Sequence, residues 1–170
     1  MTAIRPARIA ELPELMALVK AAVRHMESQG ICQWDDHYPN AAVLQADIEN
    51  RHLHVVDADG QMAGMVSINE EQAPEYQAVP WQYAGKALVI HRLTIAPAFQ
   101  RRKLATRLLE FAEKTAESQG YDTLRLDVFA ENPGAIGLYK NFGFKAAGTV
   151  RFKKGLFVCF EKPVGKSGKT

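Results

Sequence analysis

Three cations in a row, Arg101, Arg102 and Lys103, follow Gln100 where an apolar run has just ended at Pro97 and an amphipathic segment begins. A helix N-terminus already carries about half a positive charge, so cations there cost about 0.3–1 kcal/mol each. The first amides of a helix also lack intrahelical partners and point along its axis, which makes the same place an anion site. A diphosphate on those amides would turn the three cations into its counter-charges, with charge-assisted hydrogen bonds of about 1.5–3 kcal/mol each. The alternative is a basic face turned to water. His91 lies a few residues earlier in the apolar run, and histidine, with an unperturbed pKa of about 6.5, can exchange a proton near neutral pH. Glu70 and Glu71 are carboxylates able to take a proton in the same way. His52 and His54 share a strand face, but without a third ligand at sensible spacing no metal site is expected.

The elements that must hold these groups follow from periodicity. Leu12, Leu15, Met16, Val19, Ala22, Val23 and Met26 recur at helical spacing between Glu11 and Gln29, and Gly30 ends the helix. An aromatic loop, ICQWDDHYPN, leads to Asn40, which caps a second helix running to about Glu49. HLHVVDADGQMAGMVSI reads as two strands around the Asp59-Gly60 turn. NEEQAPEYQAVPWQYAGK is a long loop, and ALVIHRLTI a central apolar strand stopped by Pro97. Leu104, Leu108, Leu109, Ala112 and Ala116 give a third helix its apolar face. TLRLDVF alternates as a strand, NPGAIGLYKNFGF is a short helix with a glycine stop, and KAAGTVRFKKGLFVCFEK is a terminal hairpin. The start, IRPAR, suits an edge strand. The order predicts an α/β (α+β) fold: one mixed sheet of about six to seven strands flanked by about four helices, in a single domain over residues 1–162. Residues 163–170 are expected to form a disordered tail; their Gly168-Lys169-Thr170 lacks the earlier glycine and following helix of a phosphate loop.

With 170 residues, 47% hydrophobic and 24% charged, the chain has an ordinary globular composition, and a net charge of +2 gives nucleic acid little to hold. Cys32 and Cys159 follow no metal or redox spacing and are expected to be reduced thiols. MTAIRPARIA has no apolar leader core and no stretch approaches the ~20 apolar residues of a membrane span, so a cytoplasmic protein with no membrane partner is expected.

The stretch from Ile90 to Leu109, followed by LRLDVFAENPGAIGLYKNFGF from Leu124 to Phe144, resembles the GCN5-related N-acetyltransferase (GNAT) superfamily. In that family a strand ending near a proline leads into a Gln/Arg-x-x-Gly-x-Gly/Ala loop that holds the diphosphate of acetyl-CoA. Gln100, Arg101, Arg102, Lys103, Leu104 and Ala105 correspond to it here, with Thr106 next in the same turn; the later signature corresponds to Asn132, Ala135, Leu138-Tyr139 and Gly143-Phe144. Lys103 stands where the family has glycine. Helical angles are open to lysine, so crowding rather than backbone strain is the expected difficulty, met by a side chain that swings its ammonium toward a phosphate.

The resemblance implies acetyl-CoA as cofactor, with its pantetheine arm beside Leu93, Thr94 and Ile95. Tyr139 matches the tyrosine that protonates the departing thiolate; the plainer reading is a core tyrosine packed with Ile136 and Phe142. Asn132 is either a helix cap, a partner of the pantetheine arm, or both. His91 would share a strand face with Leu93 and relay the amine proton as general base, with Glu70 and Glu71 as alternatives. The acceptor would enter near Trp34, Tyr38, Glu70 and Trp81, where aromatic and acidic groups suit a cationic amine; Trp34 and Trp81 serve equally as core plugs. The implied activity is transfer of an acetyl group to a small-molecule or peptide amine by direct attack in a ternary complex. No cysteine lies in the motifs to carry an acetyl-enzyme. A non-catalytic acyl-CoA sensor would keep the basic turn but need neither Tyr139 nor His91. Nucleic-acid binding through Arg101, Arg102, Lys103 and Arg107 is a weaker third reading. Dimers are common in the family, so a homodimer is an expectation of the resemblance alone.

Overall fold

The computed structural model describes residues 2–165. Among the described residues seven strands and four α-helices follow in the order β1 (Thr2–Pro6), α1 (Leu12–Ser28), α2 (Ala41–Glu49), β2 (Leu53–Ala58), β3 (Gln61–Asn69), β4 (Ala87–Ile95), α3 (Leu104–Ser118), β5 (Thr123–Phe129), α4 (Pro133–Phe142), β6 (Lys145–Phe152) and β7 (Gly155–Pro163). The strands form one mixed sheet in the order β1-β2-β3-β4-β5-β7-β6. The fold class is therefore the expected α/β one. The sequence does not show that β7 enters between β5 and β6, because hairpin partners give no sign of which of the two takes the inner place.

The chain forms two compact units, one of residues up to Ile68 with His91–Leu108, the other of Asn69–Ile90 with Leu109 onward. In the first, α1 buries Leu15, Leu18, Val19, Ala22 and Val23 along one stripe. Asn40 caps α2 by accepting from the Val43 amide at 3.0 Å. Asp59 and Gly60, at φ 53° and 76°, make the left-handed two-residue turn that joins β2 to β3 and matches their twist. The core of this unit is Leu15, Leu44, Leu53, Val55 and Met65, with Trp34 among them. Gly64 of β3 is required by close approach: a Cβ there would stand 2.6 Å from the Thr94 carbonyl oxygen of β4.

In the second unit β4 begins parallel to β5, with Ala87 opposite Thr123 and Val89 opposite Arg125. Antiparallel β7 and β6 complete this part of the sheet. Asn132 caps α4, accepting from the Ala135 amide at 3.2 Å, and Gly143 ends it at φ 111°. The segment between β3 and β4, expected to be a plain loop, contains a 3₁₀ turn at Pro74–Ala78 and is anchored by buried polar groups. Arg125 donates to Gln72 Oε1 at 3.0 Å and to the Tyr83 carbonyl at 3.1 Å, and lies 4.3 Å from the Trp81 ring centre. Glu161, only 2% exposed, accepts from the Gln82 and Tyr83 amides at 2.9 and 3.1 Å. Two residues assigned to the expected tail are instead structured: Pro163 ends β7 and the Val164 amide bonds the Asp122 carbonyl at 3.0 Å. The rest of the expected tail, from Lys166, lies outside the described residues.

Candidate functional site

In the first unit a 3₁₀ turn at Pro97–Phe99 follows β4, and α3 starts at Leu104. The Lys103 carbonyl accepts from the Arg107 amide at 3.1 Å, which makes Lys103 the residue on which the helix begins. The amides of Leu104, Ala105 and Thr106 precede the first intrahelical bond and are available to an anion. Arg101 and Lys103 both have left-handed backbones, at φ 64° and 61°. This corrects the expectation of helical angles at Lys103: the position has the conformation that glycine takes without penalty, and lysine occupies it under strain. Left-handed residues interleaved in a turn direct successive N–H groups into a common concavity, a nest for anions. Gln100, Arg101 and Lys103 are exposed. Arg102 is engaged elsewhere, with Nη2 2.9 Å from Asp59 Oδ2 in the β2–β3 turn and its guanidinium 5.2 Å from the Phe99 ring centre.

Before this turn, β4 is irregular. Arg92 has φ 54°, a left-handed residue inside a strand. The expectation that His91 and Leu93 share one face rests on unbroken alternation, which Arg92 interrupts; His91, Arg92 and Leu93 are all half-buried in succession. Arg92 Nε donates to Asp47 Oδ2 at 2.9 Å, Nη2 lies 2.7 Å from the same oxygen, and Nη1 donates to Tyr38 Oη at 2.7 Å. Thr94 is buried and its hydroxyl donates to the Arg92 carbonyl at 3.0 Å, while Ile95 remains half-buried.

In the second unit Tyr139 is buried on α4, its ring 5.9 Å from that of Phe144 and 6.3 Å from that of Phe160. These two rings are aromatic neighbours beyond the Ile136 and Phe142 named from the sequence. Burial, with the Asp127 charge adding to it, pushes the Tyr139 phenol above its ordinary pKa. Asp127 accepts from Tyr76 Oη at 2.6 Å. Burial raises this carboxyl and the Tyr76 hydrogen bond opposes the rise. Cys159, opposite Asp127 on β7, is a free buried thiol pushed up to about 12 by burial and the Asp127 charge, which leaves it protonated and unreactive. Asn132 and Ala135 lie at the start of α4, joined by the cap bond.

The four acceptor candidates divide between the two units, Trp34 and Tyr38 in the first and Glu70 and Trp81 in the second. Trp34 belongs to the first unit's core. Trp81 packs on Tyr76 at 5.3 Å between ring centres, faces Arg125, and donates Nε1 to the Tyr76 carbonyl at 3.0 Å. Trp34 thus has the plug role, while Trp81 is half-buried against Tyr76 and Arg125. Tyr38 keeps 43% of its surface exposed while holding Arg92. Glu70 accepts from Tyr121 Oη at 2.7 Å and lies 3.9 Å from Lys86 Nζ. The sequence reading gives Asp47, Arg92 and Asp127 no site role, and places Tyr76 only among the aromatic residues on the acceptor side. Asp127 had a visible signal, a charge two residues from Arg125 within an otherwise apolar strand; Asp47 had none, being one acid on a short helix.

Residues 19–144 match the sequence profile of the Acetyltransferase (GNAT) family. The chain belongs to that family. Over 62 residues it is 42% identical to the ribosomal protein bS18-alanine N-acetyltransferase of Salmonella typhimurium, a match covering 36% of this chain and 41% of that enzyme. Over 106 residues it is 29% identical to an uncharacterized N-acetyltransferase of Lactobacillus delbrueckii, covering 62% of this chain and 56% of that one. These alignments span about half of each relative or less. Among solved structures, a GNAT family acetyltransferase from Streptococcus agalactiae superposes with TM-score 0.86 at 25% identity, covering 97% of this chain and 96% of that one. A Salmonella typhimurium protein solved with its cofactor acetyl-CoA shares the fold, with TM-score 0.72 at 18% identity over 100% of this chain and 98% of that one. Among the described residues no helix is long and apolar enough to cross a membrane.

Proposed function

We propose that this GNAT protein transfers the acetyl group of acetyl-CoA to a primary amine by direct attack in a ternary complex. The observation that carries this reading is the turn before α3, where two non-glycine residues, Arg101 and Lys103, are both held left-handed at the head of a helix. Strain of this kind persists where the surrounding structure demands it, and here it shapes a nest for a diphosphate. When bound, acetyl-CoA supplies the activated acetyl thioester.

The amides of Leu104, Ala105 and Thr106 hold the diphosphate, with Arg101 and Lys103 as counter-charges and Gln100 beside them. Arg102 would join them only on leaving Asp59. Leu93, Thr94 and Ile95 align the pantetheine arm, and Asn132 and Ala135 support it. Tyr139 keeps its proton throughout the working pH range, because burial raises its pKa, and so meets the departing sulfur as an O–H donor. His91 takes the proton from the amine. Tyr38 and Glu70, which retain exposed surface, border the acceptor's approach. The acceptor is a small-molecule or peptide amine; the bS18-alanine relative adds an N-terminal alanine to the classes worth testing.

The test is release of free thiol from acetyl-CoA in the presence of an N-terminal alanine peptide, a polyamine and an amino sugar in turn. Amine-dependent release with at least one of them is the expected result. Binding of coenzyme A without release for any amine class would favour the sensor reading, and no binding would refute the proposal.

A further inference from the structure

We propose that Arg92 is a positioning residue: its ion pair with Asp47, braced by Tyr38, locks β4 in the left-handed kink beside the segment that lines the pantetheine arm. This inference rests on the functional reading above. Were the kink only a matter of backbone shape, glycine would adopt it without penalty. Instead the position carries the longest cationic side chain, with that side chain 10% exposed and the Asp47 side chain 8% exposed. A buried carboxylate and guanidinium fix each other's place because either is costly to bury alone. Two donors of Arg92 meet one Asp47 oxygen and a third meets Tyr38 Oη, which leaves the side chain little freedom to rotate.

The backbone is held from its other side as well. The Arg92 carbonyl accepts from the buried Thr94 hydroxyl at 3.0 Å, and the Ala96 amide donates to the Ala63 carbonyl of β3 at 2.8 Å. The kink is thus fixed by α2 through the Arg92 side chain and by its own strand through the carbonyl, while β3 fixes the end of the strand. Leu93 follows directly. Its N–H and C=O directions depend on the φ of Arg92 and on the peptide plane after it, so freedom at Arg92 becomes misalignment along Leu93–Ile95. The diphosphate turn begins five residues beyond Ile95, after its own 3₁₀ turn, and does not depend on this brace.

Calorimetric titration of the full chain with two ligands separates these parts: coenzyme A, and its nucleotide half (adenosine 3′-phosphate 5′-diphosphate), which has no pantetheine arm. In Arg92→Gly, whose backbone can still adopt the kink but is no longer tethered, coenzyme A should bind about tenfold more weakly, the cost of one well-placed hydrogen bond or more. The nucleotide half should bind within about twofold of wild type. Asp47→Asn, which keeps the shape and removes the charge, should shift the same ratio in the same direction and serves if the glycine variant fails to fold. Equal weakening of both ligands, or no weakening of coenzyme A, overturns the positioning role. Failure of the wild-type chain to bind coenzyme A would instead refute the function on which it rests.

Discussion

Replacing Lys103 with glycine should make the protein more stable, although it removes a side chain and adds backbone freedom. The left-handed region costs an L-residue about 1–2 kcal/mol through contact between Cβ and the following carbonyl. Lys103 has φ 61° and an exposed side chain, so the substitution relieves that contact and loses no packing. Against this, glycine gains conformational entropy in the unfolded chain, at a cost of about 0.5–1 kcal/mol. The net gain lies between about 0 and 1.5 kcal/mol, centred on about 0.75 kcal/mol, which for a chain of 170 residues raises Tm by about 1.5–3 °C. Differential scanning calorimetry of wild type, Lys103→Gly and Lys103→Ala measures it. Alanine keeps the Cβ and should give no rise. A glycine variant melting at or below wild type, or an alanine variant rising equally, would refute the strain argument. Coenzyme A binding provides the functional half of the test: loss of an exposed ammonium near a phosphate should weaken it about twofold to fivefold. Much tighter binding to the glycine variant would mean that the lysine crowds the site.

Tyr139→Phe should lower kcat by about 10²–10⁴-fold, the usual worth of a positioned general acid, with coenzyme A affinity within about twofold of wild type. Unchanged turnover would remove Tyr139 from the chemistry. Tyr76→Phe deletes the hydroxyl that lies 2.6 Å from Asp127 and should cost about 1–3 kcal/mol at about pH 7, read by urea denaturation. Burial already raises the Asp127 carboxyl and Tyr76 opposes the rise, so the variant lifts that pKa further. A carboxyl raised in the folded state binds its proton more tightly there than in the unfolded chain, so the deficit should shrink as pH falls through the raised pKa. A deficit that shows no shrinkage at any pH between neutrality and the ordinary carboxylate range of about 4 would exclude Asp127 as its origin.

Much of the fold was legible because its signals are local. The α1 stripe from Leu15 to Val23, the Asn40 cap, the Asp59-Gly60 turn and the glycine stop at Gly143 each need only a few neighbouring residues, and each stands where periodicity put it. The motif around Gln100–Ala105 was legible as a place. Its backbone was not, because left-handed angles at Arg101 and Lys103 are imposed by the turn against the preference of those residue types. The interruption of β4 between His91 and Leu93 was hidden for a related reason: nothing local marks Arg92 as left-handed, and the Asp47 that holds its side chain lies 45 residues earlier. Trp34 and Trp81 illustrate the ambiguity of aromatic residues, whose type suits a cationic acceptor and a packed core equally well. Only their neighbours decide between the two.

The segment from Asn69 to Lys86 has the composition of a connector, and connectors normally vary in length without harm. This one cannot lengthen freely. Gln72, Tyr76, Gln82 and Tyr83 are the hydrogen-bonding counterparts of Arg125, Asp127 and Glu161, three ionisable groups set into β5 and β7. An inserted residue between Tyr76 and Gln82 would shift one set of contacts out of step with the other and strand a charge beneath the cover. Homologous chains that retain those three ionisable residues should therefore hold the spacing from Tyr76 to Tyr83 constant, whereas chains with a longer segment should have exchanged them for apolar ones.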